Sequence, residues 1–357
     1  MMRSSLLLVV SIALTILCWG LYGPVLQGGA MGMSTIAGRP ASLRPFVCVG
    51  LAYFLIGVIV PSVWLYLKGE KGDWTIHGII WSLIGGAMGA VGALGIILAF
   101  RFGGQASYVM PLVFGGAPVI NAFITIYLAD RMKEIGPVFL AGLVMVIIGA
   151  VAVLMFAPRP EPKAAPVAAQ ALPADTTSAA AVTPPTPSAP PSGPVSWVSR
   201  MLAIALAIAC WGAYGPTLHK GQAAMHHSRL RALVCVGLAY FAIAVVVPDM
   251  ILAESPESSV YSNFVHGTLP ALMGGAFGAL GAVGIIMAFN SGGRPVYVMP
   301  LVFGAAPVVN ILFTAFKLDL LGKMNAMFLA GLILVVAGAV MVLVFAPRGD
   351  APAAATR

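Results

Sequence analysis

Charged side chains are scarce in this chain of 357 residues, of which only 8% are Asp, Glu, Lys or Arg and 60% are apolar or aromatic. A soluble domain carries about a quarter charged residues. The mean hydropathy is correspondingly high, at +0.99. Because so few polar groups could not cover a folded surface in water, the composition excludes a soluble protein. It predicts an integral membrane protein with the lipid bilayer as its surroundings.

Acidic residues are especially few, with 11 Asp and Glu against 19 Lys and Arg, and none lies near the centre of an apolar run. A membrane-embedded carboxylate is the usual proton relay or cation site. The sequence therefore favours facilitated diffusion or exchange at least as much as proton symport. The basic residues stand singly between apolar runs and form no basic stripe, so no nucleic-acid partner is predicted.

Motifs for catalysis or metal binding are also missing. Cys18, Cys48, Cys210 and Cys235 lie inside apolar runs without C-x-x-C spacing, which predicts neither a metal site nor a disulfide framework. No G-x-x-x-x-G-K-[ST] loop is present, which argues against ATP-driven pumping by this chain. The absence of Ser/His/Asp and H-E-x-x-H constellations predicts no enzyme, no catalytic residues and no cofactor.

Long apolar runs dominate the chain. A membrane span needs about 20 mostly apolar residues, and ten such runs are present. They lie near 5–27, 44–67, 76–100, 106–128, 137–157, 198–219, 231–252, 265–289, 295–316 and 326–346.

The second group of five runs repeats the first. The motif CWGLYGP at Cys18–Pro24 recurs as CWGAYGP at Cys210–Pro216, and YVMPLVFGGAPVIN at Tyr108–Asn121 recurs at Tyr297–Asn310 with 12 of 14 positions identical. The offset between the halves moves only from 192 to 187 to 189 residues. The sequence thus predicts one five-helix unit used twice, at 1–157 and 196–349. A Pro/Ala-rich disordered linker at 158–195 joins them, and a disordered tail follows at 350–357.

An odd number of spans in each unit determines the predicted architecture. If the first helix enters from the cytoplasm, the sixth must enter from the opposite side, so the two halves form an inverted repeat of the kind found in secondary transporters. With the N-terminus inside, eleven of the 19 basic residues face the cytoplasm. The positive-inside rule therefore favours cytoplasmic termini in a plasma (inner) membrane. A homodimer remains open.

Prolines mark the fourth helix of each half. Because proline removes a backbone donor and obstructs the carbonyl four residues back, these prolines are expected to kink or partly unwind the helix beside a central cavity. One turn further on, Asn121 and Asn310 either satisfy carbonyls freed by the kink or bind a polar solute. The four kink prolines are Pro111, Pro118, Pro300 and Pro307.

The first helix of each half carries a Trp-Gly-x-Tyr-Gly-Pro motif. Its aromatic residues, Trp19 and Tyr22 with their counterparts Trp211 and Tyr214, are either interfacial anchors or part of a ligand pocket. The adjacent glycines and Pro24 predict an interruption of the helix, which favours the pocket. Together with Tyr108, Tyr297, Asn121 and Asn310, these four aromatics form the predicted substrate-binding set, in which rings stack on the solute and amides and phenols hydrogen-bond it.

Two five-helix repeats that each open with a Trp-Gly motif resemble the drug/metabolite transporter superfamily, in particular its EamA-like families. The join of the third and fourth helices carries the closest likeness, through a small-residue helix, a short Gly turn and an apolar helix with a mid-span Pro. It reads ILAFRFGGQASYVMPLVFGGAPVIN in the first half and IIMAFNSGGRPVYVMPLVFGAAPVVN in the second. The resemblance covers both halves without the linker and tails.

The predicted function is movement of a small neutral or zwitterionic organic metabolite by alternating access. An ionised group in a cavity without a counter-charge would lose hydration without compensation. Two alternatives remain. One is a sugar-uptake protein like the glucose/ribose porters, or a ureide-type permease, and the other is a non-transporting scaffold or assembly subunit.

Overall fold

The computed structural model describes residues 2–34, 39–128, 130–158, 194–226, 228–253, 264–291 and 295–347. The predicted linker at 158–195, apart from its ends, and the predicted tail at 350–357 lie outside the described residues. Helices account for the regular structure of the described ranges. This confirms the prediction of an all-α protein.

The first half contains five helices that follow one another with short connections. They are α1 (Met2–Gly32), α2 (Leu43–Lys68), α3 (Ile76–Arg101), α4 (Ala106–Leu128) and α5 (Pro137–Phe156). The second half contains α6 (Pro194–Ala224), α7 (Arg229–Phe241, Ala242–Val246 and Val247–Ala253), α8 (Phe264–Asn290), α9 (Pro295–Lys317) and α10 (Ala326–Phe345).

Nine helices in the described ranges are long and apolar enough to cross a membrane, so the chain is a multi-pass membrane protein. The apolar stretch Leu301–Lys317 of α9 is shorter than the other nine. The count of ten spans therefore stays a prediction. Polar side chains mark several helix starts: Thr75 accepts from Gly78 N at 3.1 Å, and Asn325 accepts from Phe328 N at 2.8 Å.

Each second helix contains one π-helical turn, at Leu55–Ile59 in α2 and at Ala242–Val246 in α7. In both cases one valine separates the turn from a proline, at Pro61 and Pro248. Proline has no N–H to donate to the carbonyl four residues back, so the regular α-helical hydrogen bonding is interrupted at this point. The Val60 N–H reaches back five residues to the Leu55 carbonyl instead.

The helices form two bundles, each built from both halves. In the first bundle α1 packs against α8 and α9, and α2 packs against α8; in the second, α6 packs against α3 and α4, and α7 packs against α3. Helices α5 and α10 pair with each other. Glycines allow these close approaches, since a Cβ on Gly149 would lie 2.6 Å from the Gly331 carbonyl oxygen.

Continuous helices contradict the expected interruption of α1 and the expected unwinding at the paired prolines, whereas the expected kink stays a prediction. Helix α1 runs without interruption through Gly20, Gly23 and Pro24. Helix α4 stays α-helical through Pro111 and Pro118, and α9 is continuous over the corresponding stretch with Pro300 and Pro307, so the prolines do not unwind it. A single missing hydrogen bond leaves the rest of the helical ladder intact, and in a bilayer the remaining backbone groups have no better partners than one another.

Candidate functional site

A cavity of about 320 Å³ lies between the two bundles. Aromatic side chains from both halves dominate its wall, and no Asp or Glu is among its described lining residues. The aromatic lining consists of Trp19, Tyr22, Tyr53, Phe114, Trp211, Tyr214, Tyr240 and Phe303.

The two indoles are held in the same way by the opposite halves. Trp19 donates its Nε1–H to the Gly278 carbonyl at 3.2 Å, and Trp211 donates to the Gly89 carbonyl at 3.1 Å. A Cβ at Gly281 or Gly92 would overlap these rings, so the small residues of α8 and α3 make room for them. Since both N–H groups are used within the protein, the rings contribute mainly their faces to the cavity.

Ring contacts connect the two bundles across the cavity. The Phe114 centroid lies 6.4 Å from that of Trp19, 6.3 Å from that of Trp211 and 6.1 Å from that of Phe303. Where α2 crosses α7, the rings of Tyr53 and Tyr240 stack with centroids 3.8 Å apart and planes 1° apart. This stack brings equivalent residues of the two repeats face to face.

Polar groups are few and unevenly placed in the cavity. Tyr22 is 3% exposed, and its hydroxyl has no hydrogen-bond partner within the described residues. The amide of Asn121 also lines the wall. Near the α6–α7 junction the lining becomes polar, with His219, Gln222 and Arg229. The cavity can therefore accommodate an apolar or flat body and hydrogen-bond a few polar groups.

The predicted substrate-binding residues separate into two groups. Trp19, Tyr22, Asn121, Trp211 and Tyr214 line one cavity. Tyr108 and Asn310 are not among its described lining residues. The side chain of Tyr297 lies outside the described residues, so its place in the site stays a prediction.

Tyr108 and Asn310 have other surroundings. The Tyr108 hydroxyl donates to the Gly103 carbonyl at 3.3 Å and accepts from Arg200 Nη1 at 3.2 Å, which fixes the α3–α4 turn to α6. Asn310 is 0% exposed, and neither atom of its amide has a hydrogen-bond partner among the described residues. It packs against Gly23, just as Asn121 packs against Gly215.

Tyr53, Tyr240, Phe114 and Phe303 were not predicted as site residues. Tyr53 and Tyr240 occur in the repeated stretches Cys48–Phe54 and Cys235–Phe241, and Phe114 and Phe303 occur in the repeated fourth-helix motif. Duplication of an aromatic residue inside a span was thus the available signal. It identifies equivalent positions, but it does not reveal which positions meet.

Within the described residues, the cavity extends towards one end of the molecule. At the α6–α7 end its wall includes Leu218, Ile286 and Met299. At the opposite end the bundles are packed shut around side chains that are 0% exposed, including Leu26, Ile97 and Met110. We refer to these as the open end and the sealed end.

Residues at the sealed end are the repeat counterparts of residues that line the open end. With the offsets of 192 and 189 residues, Leu26 corresponds to Leu218. The other pairs are Ile96 with Ile285, Ile97 with Ile286, and Met110 with Met299. In each pair the first-half residue is 0% exposed and its second-half counterpart lines the cavity. The same sequence positions therefore form a seal in one half and a cavity wall in the other.

The surroundings of two equivalent glycines, one in α1 and one in α6, show the same difference between the two ends. A Cβ on Gly23 would lie 2.8 Å from Met110 Sδ, so α1 touches α4 at the sealed end. On the equivalent Gly215, the described atoms within 4 Å of a Cβ all belong to Asn121. Met299, the counterpart of Met110, is not among the neighbours found within 4 Å of that Cβ.

A polar cluster attaches the α2–α3 connection to the start of α7 near the open end. The Glu70 carboxylate accepts from the Ser228 hydroxyl at 2.5 Å and from Leu230 N at 3.2 Å. Arg231 lies 3.8 Å from the same carboxylate. The N-terminus of α7 attracts negative charge through its unpaired amides, so the cluster holds this connection in place beside the cavity.

No protein-family model matches the chain, and no curated protein matches it. The chain is similar to a solved structure described only as "Crystal structure of protein", with 18% identity and a TM-score of 0.52. The alignment covers 94% of this chain and 96% of that one. At this identity the likeness concerns the fold alone, and it extends over almost the full length of both chains.

Proposed function

We propose that this protein transports a small neutral or zwitterionic organic solute by alternating access. The observation that carries the proposal is the exchange of roles between equivalent positions, with Leu26, Ile97 and Met110 in the seal and Leu218, Ile286 and Met299 in the cavity wall. If the two halves exchanged conformations, the seal and the wall would exchange ends. The central cavity would then open to the other face.

The proposal includes ten spans arranged as two inverted five-helix repeats, as in the drug/metabolite transporter superfamily. Reciprocal packing supports it, because α1 packs on α8 and α9 of the second half while α6 packs on α3 and α4 of the first. A pseudo-two-fold axis in the membrane plane would produce this exchange of partners. With both termini in the cytoplasm of a plasma membrane, the open end faces the cytoplasm.

The chemistry of the wall supports the proposed solute class. Aromatic faces suit a flat or apolar body, and the unpartnered Tyr22 hydroxyl and the Asn121 amide can bond polar groups. The described lining residues supply no carboxylate for an isolated cation. Arg229, near the open end, offers one positive charge, which a zwitterion's carboxylate could approach. A wall supplied by both halves also favours a transporter over a scaffold, which has no need of a shared cavity.

Comparative metabolite profiling tests transport. Solute levels inside and outside cells are compared among cells that contain this protein, cells that lack it, and cells that contain the Trp19→Ala/Trp211→Ala variant. We expect a small set of neutral or zwitterionic solutes to change with the native protein only. The matched control is Gly322→Ala, since nothing lies within 4 Å of a Cβ there. Indistinguishable profiles across a broad panel would overturn the proposal.

The inverted arrangement has its own test. Reporter domains inserted within 160–190 and fused at the C-terminus should report opposite sides of the membrane, since five spans separate the two positions. Reports from the same side would contradict both the count and the inversion.

A further inference from the structure

The two bundles are joined at the sealed end by a side chain that bonds twice. Gln27 of α1 donates its Nε2–H to the Gly104 carbonyl at 3.0 Å, and its Oε1 accepts from Ala106 N at 3.1 Å. Gln27 belongs to the first bundle, whereas the α3–α4 turn belongs to the second. One amide thus satisfies two backbone groups across the closed entrance.

The α3–α4 turn, to which Gln27 is bonded, is itself held by further hydrogen bonds. Gly103 has a φ of +83°, which favours glycine, and its carbonyl accepts from Arg200 Nη1 at 3.1 Å. Gly104 N donates to the Ala99 carbonyl at 2.8 Å. A second bond crosses the same end, from Arg101 Nη1 to the Pro40 carbonyl at 3.3 Å.

The second repeat carries different residues at the positions of Gln27 and Ala106. With the offset of 192 residues the counterpart of Gln27 is His219, which is exposed and lines the cavity. With the offset of 189 residues the counterpart of Ala106 is Pro295, the first residue of α9. Proline has no backbone N–H. When the open end closes, position 295 therefore cannot offer His219 the backbone N–H that Ala106 gives to Gln27.

We propose that Gln27 is a latch for the sealed end and that its unequal counterpart biases the protein towards the conformation with the α6–α7 end open. The proposal rests on the proposed alternating-access function, which it extends to the resting state. Opening the sealed end breaks both bonds, and although water can replace them, each intramolecular bond still gives a modest net gain to the closed end. In the opposite conformation, the contact of His219 at the other end forms one hydrogen bond fewer than Gln27 forms here.

Cysteine labelling measures the populations of the two conformations. The full chain in lipid nanodiscs, where both faces are accessible, carries one reporter: Ala30→Cys at the sealed end or Ala282→Cys in the cavity wall. A water-soluble maleimide is the probe, and labelling of the native cysteines is measured in chains without a reporter. Ala30 is 0% exposed, so it reacts only in the opposite conformation, whereas half-buried Ala282 reacts in the present one.

The first variant is Gln27→Met, which keeps the length of the side chain and removes both hydrogen bonds. We expect the labelling rate at Ala30→Cys to rise several-fold while the rate at Ala282→Cys does not rise and the melting temperature is kept. No change at Ala30→Cys would overturn the latch. A parallel rise at both reporters with a lower melting temperature would overturn it as well, since that indicates general loosening.

The second variant leaves Gln27 in place and builds an equal latch at the other end. His219→Gln with Pro295→Ala supplies the missing side-chain amide and backbone N–H, and should raise labelling at Ala30→Cys several-fold. His219→Gln alone is the matched control and should leave the rate unchanged. Equal rates in the double and single variants would overturn the proposed bias. Labelling needs no solute, so failure of the metabolite panel and failure of the latch are separate results.

Discussion

Residues with the same identity and the same place in the repeat have different surroundings in the two halves. Tyr22 is 3% exposed, whereas Tyr214 is half-buried in the wall of the same cavity. Asn310 is buried and its amide has no partner in the described part of the chain, whereas Asn121 faces the cavity. Because the two members of each pair are identical residues at equivalent positions, the sequence does not distinguish them. Their different surroundings come from the different conformations of the two halves. Under the proposed alternating access, each member of a pair would take the surroundings of the other in the opposite conformation.

The clearest steric requirement concerns the glycines beneath the indoles. Gly281→Ala and Gly92→Ala each place a methyl group where the Trp19 or Trp211 ring lies. Because overpacking a fixed ring costs about 1–3 kcal/mol, we expect each variant to have a lower melting temperature in detergent. Gly322→Ala, with nothing within 4 Å of its Cβ, is the control and should melt like the native protein. Equal melting temperatures for all three variants would contradict the tight indole packing.

The paired asparagines give a second prediction at this scale. Asn121→Ala removes a polar group from the cavity wall, so we expect the apparent affinity for the solute found by metabolite profiling to fall several-fold at an unchanged melting temperature. Asn310→Ala removes an amide that makes no bond within the described residues, so binding from the open end should stay as in the native protein. Equal losses of affinity in both variants would contradict this prediction, because it assumes that the solute binds from the open end, where it meets Asn121 and not Asn310.

At the scale of elements, sequence predicts the helices better than their irregularities. Apolar length identifies the spans, because a bilayer leaves helices as the only way to satisfy the backbone of a single segment. The same argument explains why Pro24, Pro111 and Pro118 do not break their helices. The irregular backbone occurs instead before Pro61 and Pro248, as one π-helical turn in each half. A proline shows where one bond is missing, but the neighbouring helices determine how the backbone responds.

The π-helical turns provide a test of their own. Pro61→Ala restores an N–H at the end of the turn, so α2 can return to regular α-helix and lose the extra residue. The segment beyond it would then rotate by about 100° relative to Tyr53. We expect an unchanged or higher melting temperature and a transport rate lowered several-fold.

Pro270→Ala is the control for this substitution, since Pro270 lies inside α8 with no π-helical turn beside it. It should leave the transport rate unchanged. A Pro61→Ala protein with native transport would show that the turn is not needed for movement of α2 against α7.

For the whole molecule, the sequence predicts the repeat and five cavity residues, but not the two bundles. The Trp-Gly-x-Tyr-Gly-Pro motif identifies Trp19 and Trp211, because aromatics beside small residues at mid-span are unusual for membrane anchors. The small residues of the third helices indicate close packing without naming a partner. Partner choice depends on matching whole surfaces, so the packing of α1 on α8 and of α6 on α3 could not be predicted from either surface alone. Nor could a symmetric pattern show which end is sealed.

The packing of the two bundles predicts how engineered disulfides at two equivalent positions behave. Gly23 and Met110 touch across the sealed end, so a Gly23→Cys/Met110→Cys pair should form a disulfide readily in the resting protein. The equivalent pair, Gly215→Cys/Met299→Cys, has no such contact and should form its disulfide more slowly, when the open end closes.

Each disulfide holds the bundles in one conformation, so each should stop transport in proteoliposomes, and a reductant should restore it. The single cysteine variants control for the substitutions themselves. Full transport through a protein locked at the Gly23 pair would mean that the sealed end never has to open, and alternating access between these bundles would then be wrong.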